Sequence, residues 1–213
     1  MTKIDDYTQA CELGKKALQG KDPEILAEFS GALYQAEGHG AQSLTIRFLN
    51  REILISWPDL NITENRTREK INIQQQVFLL HYLNGAFISG GAPLTNEWIS
   101  FQEIPDGKFY LAPFISRARA PLLSVFGKRP GLMVELASEA YNATGLDHGD
   151  HSVSVEALPL VRLALILWDG DDEFPPESNI LFDKNISRLL SAEDIAWLAG
   201  NTVYPLMGMA RGK

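Results

Sequence analysis

Cysteine is almost absent from this chain. Cys11 is the one thiol in 213 residues, which excludes an intrachain disulfide and any zinc or iron–sulfur site built on four cysteines. A chain with no disulfide framework is expected in a reducing compartment. Long apolar runs are lacking too: the longest, Leu163 to Trp168, is strand length, far short of the roughly 18–20 residues of a membrane span. The first residues, Met1-Thr2-Lys3-Ile4-Asp5-Asp6, are acidic and lead into no apolar stretch, so no signal peptide is expected. Positive charge is in the minority, 19 Lys and Arg against 27 Asp and Glu, a net −8. That balance disfavours nonspecific binding to nucleic acid. The densest basic stretch, Arg66-Thr67-Arg68-Glu69-Lys70, is diluted by Glu64 and Glu69 and reads as a solvated loop. The expectation is a cytoplasmic protein with neither nucleic acid nor membrane as a partner.

Several catalytic signatures are missing as well. No serine sits in a Gly-x-Ser-x-Gly elbow, and Gly85, Gly90 and Gly91 do not match the spacing of a phosphate-binding loop. There is no internal repeat or low-complexity tract. What is present is the composition of an ordinary globular protein, 45% hydrophobic and 22% charged, in a chain long enough to fold without cross-links.

The pattern along the chain predicts an α+β fold. One mainly antiparallel sheet of about five or six strands, packed with helices, is expected in a single domain over 1–213, with a helical N-terminal segment at 1–40. Residues 5–20 read as a helix with Leu13, Ala17 and Leu18 on one side. Asp22-Pro23 supplies an N-cap and a first-turn proline for a short helix through Phe29. Leu44, Ile46 and Phe48, then Ile53, Ile55 and Trp57, alternate with polar neighbours, so two strands follow. Asn50 is expected to take the positive φ of the turn between them. Residues 69–84 read as a helix closed by Gly85. Trp98 to Ile104 reads as a strand. Tyr110 to Phe126 is helical in parts, divided at Pro121, and the helix through Leu132, Leu136 and Ala140 is expected to stop at Gly145. Val153, Val155 and Ala157 suggest a strand with one face to water, and Val161 to Trp168 a central strand covered on both faces. A short extended piece at Asn179 to Phe182 and a final helix opened by Ser191-Ala192-Glu193-Asp194 complete the reading.

One loop concentrates the carboxylates. Trp168-Asp169-Gly170-Asp171-Asp172-Glu173-Phe174-Pro175-Pro176 holds four acids in five positions between a greasy strand and a double proline. Carboxylate oxygens are the ligands of Mg²⁺ and Ca²⁺, yet the spacing lacks the EF-hand ligand series, and Gly170 gives the loop a sufficient job as a turn. Acids this close are expected to raise one another's pKa. Ligand-contact candidates are Trp168, Asp169, Asp171, Asp172, Glu173 and the nearby Asp183, with Tyr82 and Trp98 as aromatic contributors to a pocket. A second cluster, Asp147-His148-Gly149-Asp150-His151, has metal-ligand chemistry but also reads as a polar turn. The metal candidates are therefore Asp169, Asp171, Glu173, His148, Asp150 and His151. His81, four residues after Val77, is expected to be a partly buried core histidine. His39 lies in the glycine loop Gly38-His39-Gly40, and Cys11 reads as inert.

Three ordered stretches carry a family likeness. The first is Phe78-Leu79-Leu80-His81-Tyr82-Leu83, then Pro93-Leu94-Thr95-x-x-Trp98-Ile99-Ser100-Phe101-x-Glu103-Ile104-Pro105-x-Gly107-x-x-Tyr110. The second is Leu158-Pro159 with Leu167-Trp168-x-Gly170-Asp171-x-Glu173-Phe174-Pro175. The third is Ile180-Leu181-Phe182-Asp183 with Leu190-x-x-Glu193-Asp194. In these the chain resembles the family known as domain of unknown function 3786, over about residues 70–200. That family is mostly found in anaerobic bacteria and archaea, and some of its members carry a fused cysteine-rich iron–sulfur domain, which this sequence does not have. The resemblance implies a role beside anaerobic redox or corrinoid metabolism, with an iron–sulfur or corrinoid protein as a partner, and no established activity or cofactor. The leading expectation is a non-catalytic binding or accessory module. The alternatives are a metal-dependent enzyme using the acidic loop Asp169–Glu173, in which the cation activates water, and a small-molecule or cofactor binder with an aromatic-lined pocket.

Overall fold

The structure, a computed structural model, describes residues 3–36 and 40–213; the glycine loop at His39 lies outside the described residues. The α+β class holds. Among the described residues the strands form two antiparallel sheets, of four and five strands, where the sequence pattern suggested one. By its internal contacts the chain divides into two compact units, neither a contiguous stretch. One takes residues up to Pro93 with Leu158–Leu160 and Arg188–Leu190; the other takes Leu94–Ala157, Val161–Ser187 and Ser191–Lys213.

The first unit runs α1 (Lys3–Leu18), α2 (Pro23–Ser30), β1 (Leu33–Ala36), β2 (Gln42–Phe48), β3 (Arg51–Trp57), β4 (Ile62–Glu64) and α3 (Ile73–Ser89). Asp22 caps α2 as its sequence suggests, Oδ1 accepting the Glu24 N–H at 2.8 Å. The sheet order is β1-β2-β3-β4, so a strand stands within the stretch read as wholly helical. Leu44, Ile46, Phe48, Ile53, Ile55 and Ile62 bury one face of the sheet, which is the period-two pattern expressed as packing. In the β2–β3 turn it is Leu49, not Asn50, that adopts a positive φ, of 53°.

Three helical expectations need correction in this unit. The buried stripe of α1 is Cys11, Gly14 and Leu18, while Leu13 is 60% exposed. A Cβ on Gly14 would come within 2.9 Å of the Leu80 Cβ, so α1 approaches α3 closely there. His81 is exposed rather than in the core, because it lies seven residues from both Gln74 and Ile88, on the outer stripe of α3. Gly85 does not end α3. It lies inside the helix, and the Leu189 backbone carbonyl occupies the space its missing side chain leaves. The helix ends at Gly90 in the left-handed conformation.

The second unit contains β5 (Trp98–Ser100), α4 (Leu111–Phe114), a π-helical turn at Ile115–Arg119, α5 (Ala120–Phe126), α6 (Pro130–Tyr141), β6 (Thr144–Gly145), β7 (His151–Leu158, whose last residue falls to the first unit), β8 (Val161–Trp168), β9 (Glu177–Asp183) and α7 (Ala192–Ala210). The sheet order is β5-β9-β8-β7-β6. Strand β8 buries Val161 and every residue from Leu163 to Leu167, as a continuous apolar run in a central strand should. In β7 the serines Ser152 and Ser154 are buried too, so the strand does not present the wet face its alternation suggested. The strand expected over 98–104 turns into a 3₁₀-helix at Phe101. Helix α6 stops at Asn142, in the left-handed conformation, three residues before Gly145. The rings of Phe101 and Phe114 stack at 4.2 Å, with Phe182 against both. Arg119 at the end of the π turn donates from Nε to the Ser178 carbonyl at 2.7 Å, and Ser178 Oγ returns a bond to the Arg119 carbonyl at 3.1 Å. The Ser191–Asp194 capping box that opens α7 is formed in both directions.

Candidate functional site

The acidic loop leaves the end of β8 and folds back on itself at once. Asp171 Oδ1 accepts the backbone N–H of Glu173 at 2.8 Å and of Phe174 at 2.7 Å, and the Asp171 N–H donates to the Phe174 carbonyl at 2.9 Å. This is an Asx-type turn: the short side chain takes the place of a backbone acceptor. The Phe174 amide, then that of Glu173, holds the Asp171 carboxyl below the usual range, which reverses the upward shift expected from crowding. Gly170 is required there. A Cβ would lie 2.7 Å from both the nitrogen and Cδ of Pro176, so the double proline closes directly over the glycine.

The second cluster arrives beside the first. Asp150 donates its N–H to the Leu167 carbonyl at 3.1 Å, and its Oδ2 accepts the Asp169 N–H at 2.8 Å. His151 Nε2 lies 3.4 Å from Asp169 Oδ2. Gly149, with a φ of 61°, passes so near β8 that a Cβ would meet Ile166 Cγ2 at 2.7 Å. The His148 N–H is held by Ser152 Oγ at 3.2 Å. Two stretches nineteen residues apart thus form one piece of surface at the end of β8. Nevertheless, among the described residues no three His, Cys, Asp or Glu side chains converge as a metal-ion ligand set.

Beside this surface lies an open cleft of about 640 Å³, between Asp169–Pro176 and Gly127, Lys128 and Pro130. Lys128 brings a positive charge to a margin that is otherwise acidic. Phe174 is 67% exposed and Trp168 37% exposed, so the loop presents two rings next to its carboxylates.

Asp183 is elsewhere. In the β8–β9 ladder Trp168 pairs with Glu177 while Leu163 pairs with Phe182, which puts Asp183 at the opposite end of the strand pair from the acidic loop. Its carboxylate is buried and accepts the Thr95 N–H (3.0 Å), the Thr95 hydroxyl (2.7 Å), the Asn96 N–H (2.8 Å) and the Asn185 N–H (3.2 Å). An Arg162 nitrogen stands 3.5 Å away and also donates to Asn96 Oδ1. Burial alone would push the Asp183 carboxyl up; the bonds from Thr95, Asn185 and Asn96 outweigh it and hold the group below the usual range. Trp98 is directly opposite Asp183 in the β5–β9 pair, and the Arg162 guanidinium lies 6.0 Å from its ring centre. Asp183 and Trp98 therefore belong to a polar clasp that fastens the chain at Thr95–Trp98 to β9. Tyr82 belongs to the other unit, where it is buried and donates to the Ser30 carbonyl at 2.8 Å. The clasp could not be read from the sequence: Thr95 and Asp183 stand in separate stretches of the family likeness, nearly ninety residues apart, and no periodicity pairs them.

A family model described as "Domain of unknown function (DUF3786)" matches residues 22–204, so α1 precedes the matched span. Comparison with curated proteins and with solved structures gave no match. Among the described residues no helix is long and apolar enough to cross a membrane.

Proposed function

The chain belongs to the family of domain of unknown function 3786, and from that membership we propose that it is a non-catalytic binding module serving anaerobic redox or corrinoid metabolism in the cytoplasm. The observation that carries this reading is Phe174, two-thirds exposed on a loop tied down by Asp171 and covered at its base by Pro176. An apolar ring on a pre-ordered loop loses little freedom on binding, which is the character of an interface anchor. Trp168, part exposed at the end of β8, offers a second ring, and Asp169, Asp172 and Glu173 line the cleft with Phe174, a negative charge that favours a basic partner surface and disfavours acidic ones. The partner class that the family's associations suggest is an iron–sulfur or corrinoid protein.

The test is a photo-crosslinking phenylalanine analogue at position 174, used in an extract of an anaerobe. One adduct should form, carrying iron–sulfur or corrinoid absorbance, and excess parent protein should compete it away. A Phe174→Ser/Trp168→Ser protein should compete poorly. Equal competition by that variant would remove the loop from the binding surface and end this reading.

A further inference from the structure

The sheet of the first unit ends at β1 with an unguarded edge. Among the described residues strand β1 pairs with β2 alone. Among the described residues no other backbone hydrogen bond reaches Leu33, Tyr34, Gln35 or Ala36. A free row of N–H and C=O groups is a template for another strand, and proteins commonly blunt it with lysine, proline or a bulge. None stands in Leu33-Tyr34-Gln35-Ala36. Leu33, Gln35 and Ala36 are exposed, Leu33 by 66%.

Two outer rows of the sheet behind this edge carry no charged residue. Leu33 pairs with Thr45, Thr45 with Leu54 and Leu54 with Thr63, so these four form one row across the outer face of the sheet. Gln35, Ser43 and Ser56 form the next row. Charge enters that face at the far end of β2 and β3, where Arg47 is opposite Glu52.

We propose that β1 pairs antiparallel with β1 of a second copy of this chain, joining two four-stranded sheets into one across a two-fold axis. The charge distribution selects this occupant. A copy carrying −8 is repelled by most of another copy, and meets no like charge along β1 and the rows behind it. A basic partner has nothing to select there. An axis through Tyr34 sets Leu33 of one copy opposite Gln35 of the other, both on the outer face, so the two equivalent edges satisfy each other and close the assembly. Four residues a side bury less than the ~1,200 Å² of a standard interface, so the dimer is reversible and depends on concentration.

Sedimentation equilibrium of the full chain over a wide concentration range tests this. The mass should rise from 23.7 kDa towards twice that value, and amide exchange at residues 33–36 should slow as the dimer forms. A Leu33→Lys/Gln35→Lys protein places like charges directly opposite one another and should weaken association at least ~tenfold. Its thermal unfolding should match the parent, because both side chains are exposed. If the double variant does not fold, Gln35→Lys alone serves. A parent that stays monomeric at the highest concentration overturns the proposal. So does a dimer whose strength the lysines leave unchanged, and so does protection of residues 33–36 that appears only when another protein is added and the chain itself stays monomeric.

Discussion

The buried carboxylate of Asp183 accepts the Thr95 hydroxyl at 2.7 Å and the Thr95 backbone N–H at 3.0 Å. Thr95 thus spends both its donors on one group, eighty-eight residues along the chain. Asp183→Asn replaces the acceptor by an amide that cannot serve every donor and leaves Arg162 facing a neutral group. Breaking one side of a buried pair of this kind costs about 3 kcal/mol. Urea unfolding should show that loss without a change in slope.

The same carboxylate makes stability depend on acidity in a fixed direction. Its folded-state pKa lies below the ordinary value, so its contribution is complete above the unfolded-state pKa of about 3.9. It is lost as pH falls through the lower folded-state value, where the native protein must take up a proton against its hydrogen bonds. The parent should therefore lose stability more steeply than Asp183→Asn as pH falls below about 4. Parallel curves for the two proteins, from unfolding followed by circular dichroism, would count against the assignment.

Two glycines in helices should respond with opposite signs. At Gly85 an added Cβ meets the Leu189 carbonyl, whereas at Gly208 in α7 it meets open space. Ordinarily alanine is the better helix former by up to about 1 kcal/mol. Gly208→Ala should raise the unfolding midpoint slightly. Gly85→Ala should lose about 1–3 kcal/mol by overpacking, measured by the same denaturation experiment.

Asp171→Ala removes the acceptor that closes the acidic turn. The exposed side chain packs against little, so global unfolding should hardly move. The amides of Glu173 and Phe174 should exchange faster with solvent, and Trp168 emission should change as the loop loosens. Unaltered exchange at both amides would mean that the prolines alone hold the turn.

Local chemistry carried much of the fold in the sequence. Asp22-Pro23 starts a helix because a short acceptor and a fixed φ act within one turn, and Ser191 with Asp194 opens α7 for the same reason. The apolar run of β8 announces a covered strand because nothing polar interrupts it. What was not legible depends on distant partners. Gly85 looks like a helix stop until Leu189 occupies its face, and Ser152 and Ser154 look solvent-facing until the sheet's surroundings bury them. The acidic loop was legible as a turn. Its tie to Asp150 was not, because no periodicity links Asp169 to a residue nineteen positions back.

The π turn at Ile115–Arg119 governs how side chains are spaced along its helix. Phe114, Ala118, Leu122 and Phe126 are all buried, each four residues after the last. On a uniform α-helix of 3.6 residues per turn, such a repeat slides sideways by about 40° at each step, and the last ring would have rotated well off the face that the first one shares. A turn with i→i+5 bonding holds more residues, and at Ala120, whose N–H reaches the Ile115 carbonyl, it takes up part of that slide. The repeat therefore works as a phase correction: the chain carries an extra residue so that the rings before and after it keep pointing the same way. Deleting one residue within this turn would return it to i→i+4 bonding with Phe114 and Leu122 seven positions apart, about 20° from alignment, so the second half would keep its face to the core and only the π turn would be lost.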